Sequence, residues 1–208
     1  MFQILIVDDH SIVRTGIKVL VEDRLNITSD EASDGRTALE RLKEKEYDVI
    51  LLDINMPDTD CGTLLTTITR IAPETKVLIF SMNEEELFAK HYLKLGAKGF
   101  LSKKSSESEI ILAIKQVING KRYISREFAE MLGDELSGIK THNPFNMLSE
   151  RELTVVGYLM KGNKISTIGE IMNLHPSTIG TYRTRIFEKL NIKSLIDLTE
   201  LARIYNFR

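Results

Sequence analysis

Asp48-Val49-Ile50-Leu51-Leu52-Asp53-Ile54-Asn55-Met56-Pro57-Asp58 is the stretch whose reading decides the fold. An aliphatic run this short, bounded by polar residues, reads as a strand buried on both faces, the kind found inside parallel sheets. It delivers one carboxylate, Asp53, to its carboxyl end. In an open parallel sheet that end is where ligands bind.

Working outward, short apolar runs at 4–7, 47–52, 77–80 and 99–101, with a weaker one at 27–32, alternate with segments of helical periodicity. Ile12/Ile17/Leu20/Val21, Ala38/Leu39/Leu42, Leu64/Leu65/Ile68/Ile71, Leu87/Tyr92/Leu93/Leu95 and Ile110/Ile111/Ile114/Val117 mark the helices. Ser106 with Glu109 forms a capping-box pattern for the fifth, and Asn119-Gly120 ends it. Five βα units predict an α/β domain, a doubly wound parallel sheet with helices on both faces joined by right-handed crossovers.

A chain of 208 residues has room for two domains. Its formal net charge of −2 conceals an asymmetry: residues 1–143 hold 19 Lys+Arg against 24 Asp+Glu, and residues 144–208 hold 9 against 6. A mildly basic tail is compatible with a phosphate-backbone partner without showing one. The single cysteine, Cys61, excludes an internal disulfide, fits a reducing cytosol and reads as a small packing residue. Residues 2–7 are too short for a leader core or a membrane span, so a cytoplasmic protein with no membrane partner is expected.

Residues 1–121 and 147–208 are expected to be separate domains joined by a connection at 122–146, which carries Gly133, Gly138 and Pro144 among polar residues. Ser125 is placed to cap a short helix presenting Phe128, Met131 and Leu132, which would dock the connection on a neighbour. The tail restarts with a second capping box, Ser149 with Glu152, followed by Leu153, Val156, Leu159 and Met160 on one helical face. Further helices are predicted at about 166–173, from Pro176 to about 190, and at about 194–205. Four short helices with a tight connection between the second and third have the layout of a helix-turn-helix.

On the third of these helices, Ile179, Tyr182, Ile186 and Leu190 share the inward face, leaving Gly180, Thr181 and Thr184 toward a major groove. Thr181 and Thr184 are candidates for base edges. Arg183, Arg185 and Lys189 flank them as phosphate contacts, and Thr178 opens the same DNA-binding set. The last helix spreads Leu195, Leu198, Leu201, Ala202 and Tyr205 over a face too broad for one small domain, so part of it is expected to pair with a second copy.

The first domain carries the chemistry. Asp8 and Asp9 follow the first strand and Asp53 ends the third, so a sheet that sets these strands side by side gathers three carboxylates at one edge. Hard oxygen ligands without His or Cys favour Mg²⁺, which is usually completed by water and phosphate oxygens. Ser81 ends the fourth strand and Lys103 the fifth, adding a hydroxyl and an ammonium. This set suits attack by an aspartate oxygen on a phosphoryl group, giving an acyl phosphate. His10, beside the acidic pair, reads as a residue of a helix N-terminus.

Val7-Asp8-Asp9-His10, Leu52-Asp53-Ile54-Asn55-Met56-Pro57, Ser81 and Gly99-Phe100-Leu101-Ser102-Lys103 together resemble the receiver domain of two-component response regulators. Leu148-Ser149-Glu150-Arg151-Glu152-Leu153, Ser177-Thr178-Ile179 and Lys189-Leu190-Asn191-Ile192-Lys193-Ser194 resemble a LuxR/NarL-type DNA-binding domain. The resemblance implies a flavodoxin-like (βα)5 receiver with Asp53 as phosphoacceptor and Mg²⁺ held by Asp8, Asp9, Asp53 and the Asn55 carbonyl. It further implies Lys103 as phosphate partner, Ser81 as switch hydroxyl and Phe100 as switch aromatic. A sensor histidine kinase, promoter DNA and a second copy of the phosphorylated chain are the implied partners.

Four positions depart from that pattern. Met82 follows the switch hydroxyl where many receivers have a small residue, and Lys104 stands where many have proline. Gly180 replaces a usual lysine, and Lys164-Ile165-Ser166-Thr167 replaces a Ser-Asn-Lys-Glu run. Two other readings stand beside the regulator: an enzyme on a flavodoxin-like fold, disfavoured for flavin because the strand ends lack a Ser/Thr/Gly-rich phosphate cradle, and a regulator whose tail binds protein.

Overall fold

Five short strands line up in parallel in the order β2-β1-β3-β4-β5 in a computed structural model that describes residues 2–57, 59–137, 143–205 and 207. They are β1 (Gln3–Val7), β2 (Thr28–Ala32), β3 (Val49–Leu52), β4 (Lys76–Ser81) and β5 (Gly99–Ser102). Between and after them run α1 (Ser11–Leu25), α2 (Gly35–Glu44), α3 (Cys61–Ile71), α4 (Glu85–Lys94) and α5 (Glu107–Ile118). The doubly wound sheet expected from the sequence is present. Its strand order reverses direction between β1 and β3, and that switch point opens a crevice at their carboxyl ends.

Alternation places the core. Ile4, Ile6, Val49, Leu51, Leu78 and Phe80 bury in one cluster with Ile17, Val21, Ile110, Ile114 and Val117 of α1 and α5. Leu5, Val7, Ile50, Leu52 and Ile79, on the opposite face of the same strands, are equally buried. A strand covered on both faces has no polar side to show, which is why β3 reads as an unbroken apolar run. The strand is shorter than the run 47–52, because Asp48 takes the Gln3 N–H on its carboxylate at 2.8 Å and Tyr47 donates its hydroxyl to Asp30 at 2.6 Å. On α4 the buried face includes Phe88 and Ala89 beside Leu87 and Tyr92.

The chain divides into two compact units, Met1–Gly133 and Asp134–Arg208. The segment after α5 belongs to the first. Tyr123 bridges Gly99 in parallel, accepting from Phe100 N at 3.0 Å and donating to Lys98 O at 3.0 Å. A Cβ on Gly99 would stand 2.4 Å from the Tyr123 carbonyl oxygen, so only glycine allows this approach. Ser125 then caps α6 (Arg126–Leu136) by accepting from Phe128 N at 3.1 Å, and Phe128 is fully buried. Of the residues named in the sequence reading, Asp58 and Gly138 lie outside the described residues.

In the second unit a 3₁₀ turn (Pro144–Met147) precedes α7 (Glu150–Met160), α8 (Ile165–Met172), α9 (Pro176–Lys189) and α10 (Leu195–Ile204). The capping box of Ser149 and Glu152 is formed, as is that of Ser106 and Glu109 on α5. Asn173 at φ 52° turns the chain between α8 and α9, and a Cβ on Gly169 would meet the Leu174 carbonyl at 2.7 Å, so the tight turn rests on these two residues. On α10, Leu198, Leu201 and Ala202 are fully buried within the unit, and Tyr205 packs edge-on against Phe145, which also stacks with Phe207 at 4.6 Å. The broad apolar face is covered from inside by the segment before α7 and the end of the chain itself. Of that set only Leu195 is left exposed, beside Ile196. Among the described residues no helix is long and apolar enough to cross a membrane.

Candidate functional site

Pairing register builds the first site. Val7 pairs with Leu52, so Asp8 and Asp53 leave the sheet side by side, and Asp53 N donates to Val7 O at 2.9 Å. Ser81 pairs with Ser102, and Lys103 N donates to Ser81 O at 2.8 Å, which brings the lysine to the same edge. Asp8 and Asp53 are almost wholly buried. Asp8 Oδ1 accepts from His10 N at 2.8 Å and Asp53 Oδ1 from Asn55 N at 3.1 Å. The second oxygens of the two carboxylates face one ammonium, Lys103 Nζ, at 2.6 Å and 2.7 Å.

Charge balance in this pocket is set by burial. Burial pushes the Asp53 carboxyl above the ordinary range, Lys103 pulls it back, and the neighbouring Asp8 pushes it up again. For Lys103, burial works against the charge, but Asp53 and Asp8 more than restore it, so its pKa lies above the usual lysine value. Ligand oxygens of Asp8, Asp9 and Asp53, with a His10 nitrogen, lie within 4.8 Å of one another. Asp8 Oδ2 and Asp9 Oδ1 are buried atoms whose near neighbours are the Lys103 ammonium, at 2.6 Å, and His10 Nδ1, at 2.8 Å. Three carboxylates gathered this closely, with one ammonium shared between two of them, form a hard oxygen donor set that fits a divalent cation.

Around this cluster, Ser81 is fully buried and its Oγ accepts from Asn83 N at 3.1 Å. Asn55 and Asn83 exchange reciprocal amide hydrogen bonds at 3.0 Å, tying the loop after β3 to the loop after β4. Phe100 is buried and Met82 is exposed at the rim. Arg14, one turn into α1, donates to the Asp8 carbonyl at 2.7 Å and pairs with Glu31 at 3.0 Å, which fixes the turn carrying the acidic pair. His10 is the N-cap residue of α1.

The second candidate surface is α9. Ile179, Ile186 and Leu190 are buried and Tyr182 is half-buried, while Thr181, Arg183, Thr184 and Arg185 are exposed. Thr178 and Gly180 are half-buried at the start of the helix. Arg183 lies over the Phe187 ring at 5.0 Å, and among the described residues no carboxylate pairs with it or with Arg185. Lys189 differs from the expectation of a phosphate contact: its ammonium holds the buried Glu152 at 2.7 Å. Glu152 closes the capping box of α7, so its second role as an anchor for α9 joins the two helices.

Residues 4–115 match the family described as response regulator receiver domain, and residues 146–202 match bacterial regulatory proteins, luxR family. Response regulator UvrY of Escherichia coli is 36% identical over 204 residues, 97% of this chain and 94% of the relative. Response regulator GacA of Pseudomonas aeruginosa is 35% identical over 204 residues, covering 97% of this chain and 95% of the relative. The chain is a response regulator. Among solved structures, RcsB from Salmonella enterica serovar Typhimurium, bound to a promoter in the presence of phosphomimetic BeF3−, is similar at a TM-score of 0.63 and 22% identity, covering 98% of each chain. That likeness concerns the fold.

As a response regulator with a receiver and a LuxR-type DNA-binding domain, the protein is a transcription regulator and not an enzyme in the usual sense. In the receiver, sequence reasoning missed Arg14, Asn83 and Glu85. A cation one turn after the acidic pair was the available signal for Arg14, and the matching offset of Asn55 from Asp53 and Asn83 from Ser81 was the signal for the amide pair. Glu85, at the start of α4, accepts from Ser125 N at 3.0 Å and so ties α4 to the segment after α5. Burial raises the Glu85 carboxyl above its ordinary value, with the Ser125 bonds pulling it back. A carboxyl whose folded pKa is raised favours the folded state most at low pH, and that contribution is lost as pH rises through the folded value. Glu85→Gln, which retains an acceptor for Ser125, is therefore expected to be more stable than the unsubstituted chain at neutral pH, with the difference vanishing toward the acid side. Urea unfolding of both across pH 4–8 checks this.

Proposed function

We propose that Asp53 of this response regulator accepts a phosphoryl group from a sensor histidine kinase, and that the resulting acyl phosphate controls pairing of copies and DNA binding by the C-terminal unit. The observation that carries the reading is the Asp8–Lys103–Asp53 bridge at the switch point of the sheet. An Asp53 oxygen attacks phosphorus, the phosphorus–nitrogen bond of the donor imidazole breaks, and solvent protonates the leaving ring. Lys103 holds Asp53 in its ionised, nucleophilic form despite burial, and its ammonium neutralises a phosphoryl oxygen as the group arrives. Asp8, Asp9, Asp53 and the Asn55 carbonyl would hold Mg²⁺, which when bound supplies charge neutralisation at the phosphoryl oxygens. Ser81, at the end of β4 just before the loop tied by the amide pair, is the hydroxyl that turns toward the new phosphoryl group, and Phe100 follows it as the switch aromatic.

In the second unit, Arg183 and Arg185 are assigned to phosphates and Thr181 and Thr184 to base edges, with Thr178 and Gly180 at the entry of the helix. RcsB, solved as two dimers bound to two parallel DNAs, supports pairing of this chain on DNA. A single cysteine, buried at the start of α3, fits a reducing compartment and supports a cytosolic site of action. The test is covalent labelling by acetyl phosphate. The unsubstituted chain is expected to gain a Mg²⁺-dependent acyl phosphate and to retain promoter DNA more tightly, and Asp53→Ala to do neither. Labelling or stimulation that survives this substitution, or that proceeds in excess EDTA, would sink the proposal.

A further inference from the structure

We infer that the exposed face of α9 reads A·T base pairs through their thymine methyl groups. The inference rests on the DNA-binding reading above and adds the base chemistry that this face recognises. Sequence readout by side chains in the major groove usually depends on long donors, Arg or Lys to guanine and Asn or Gln to adenine. The central positions of this face carry none: Gly180 has no side chain, and Thr181 and Thr184 are short.

The two threonine hydroxyls are also committed. Thr181 Oγ1 donates to Ser177 O at 3.0 Å and Thr184 Oγ1 donates to Gly180 O at 3.1 Å, each to the carbonyl one turn earlier. A hydroxyl whose hydrogen is held this way retains its lone pairs and its γ-methyl for a ligand. Guanine presents only the acceptors N7 and O6 in the major groove, so these threonines have no hydrogen to give it. A cytosine offers an N4 donor but no methyl. An A·T pair offers both the thymine C5-methyl and the adenine N6 donor, which match the methyl and the lone pair.

Space and charge agree with a base edge as the occupant. Nothing lies within 4 Å of where a Cβ on Gly180 would stand. Gly180 and Thr184 line an open groove of about 570 Å³ with Ile165, Phe187, Glu188 and Asn191 in its walls, and Thr181 stands outside it on the exposed side of the helix. Arg183, which borders the groove, is drawn over the Phe187 ring, and Arg185 is exposed beside it. Arg183 and Arg185 flank the threonine methyl groups and can hold the phosphate backbone, while the exposed Glu188 on the groove wall keeps phosphates away from the strip that faces the bases.

The experiment uses the full-length chain with acetyl phosphate and Mg²⁺ to select duplexes from a randomised pool. Thymines of the selected half-site are then replaced one at a time by deoxyuridine, which lacks only the C5-methyl. Each contacted thymine should cost about fourfold in affinity when its methyl is removed, the factor that corresponds to about 0.8 kcal/mol per buried methyl. Thr181→Ser/Thr184→Ser, which retains the hydroxyls and their back-bonds, should bind thymine and deoxyuridine duplexes alike. Thr181→Val/Thr184→Val, which retains the methyls, should still prefer thymine. Equal binding of both duplexes by the unsubstituted chain, or selected half-sites with G·C at the α9 contacts, overturns methyl readout while leaving DNA binding intact. A pool that shows no enrichment overturns the DNA-binding reading and this inference with it.

Discussion

Replacing Lys103 with methionine should cost the N-terminal unit about 3–5 kcal/mol of stability in metal-free buffer at neutral pH, the range for removing one partner of a buried charge pair. Methionine approximates the length and apolar stem of the lysine, so packing around it is largely preserved. The ammonium between Asp8 and Asp53 is what is lost. Two buried carboxylates then face each other without a cation, and Asp53, already pushed up by burial, must bind a proton to relieve the repulsion. Such a raised carboxyl favours the folded state at low pH and loses that contribution as pH rises through its folded value. The deficit of the variant should therefore be small in acid and full at pH 8. Mg²⁺ at a hundredfold excess over its dissociation constant adds about 2.7 kcal/mol to any folded state that binds it. The variant should recover more than the unsubstituted chain, because no ammonium competes for its carboxylates. Urea unfolding with EDTA or MgCl2 at pH 5 and 8 measures all of this. Equal stability of the two chains without metal would show that the bridge does not hold the site together.

Arg183→Ala/Arg185→Ala should lower affinity for selected duplex DNA by about 10- to 100-fold at physiological salt and reduce the salt dependence of binding. Both guanidiniums are exposed on α9 without a carboxylate partner among the described residues, so their loss should leave the fold of the unit unchanged. Each phosphate contact contributes about 0.9 to the slope of log affinity against log salt, so removing two should flatten the slope by about 1.8 per bound protomer. Lys189→Ala makes the informative contrast. Its ammonium holds Glu152 inside the unit, so the expected result is a loss of thermal stability in place of a change in salt slope. Binding isotherms at several salt concentrations, with helicity followed by circular dichroism, separate the two outcomes. An unchanged slope in the double alanine variant would remove the arginines from the interface.

What was legible in the sequence was what a strand end encodes. Asp8, Asp53, Ser81 and Lys103 each follow an apolar run, and a parallel sheet carries such positions to one edge without further information. The capping boxes of α5 and α7 were legible for the same local reason: four consecutive residues contain the whole device. Partnerships between distant elements were not. Lys189 looks like one more cation beside the arginines until Glu152, 37 residues earlier, is seen to take it. Asn55 and Asn83 meet only because β3 and β4 are neighbours in space. On α10 periodicity reports how much apolar surface must be covered and is silent on what covers it. Phe145 and Phe207 do so from opposite ends of the unit's own sequence.

The pairing of Tyr123 with β5 bears on how copies of this protein can meet. An open five-stranded sheet has two lateral edges, and each is a template for strand addition from another molecule. At one edge Tyr123 has already taken the Phe100 N–H and occupied the groove above Gly99. At the other, β2 carries Asp30 and Glu31, engaged by Tyr47 and Arg14, on a strand with two further polar residues. Neither border invites a foreign backbone. Growth of the sheet from one molecule into the next is thereby disfavoured, which leaves the helical faces as the surfaces whose side chains can be repositioned without disturbing the ladder beneath Asp53.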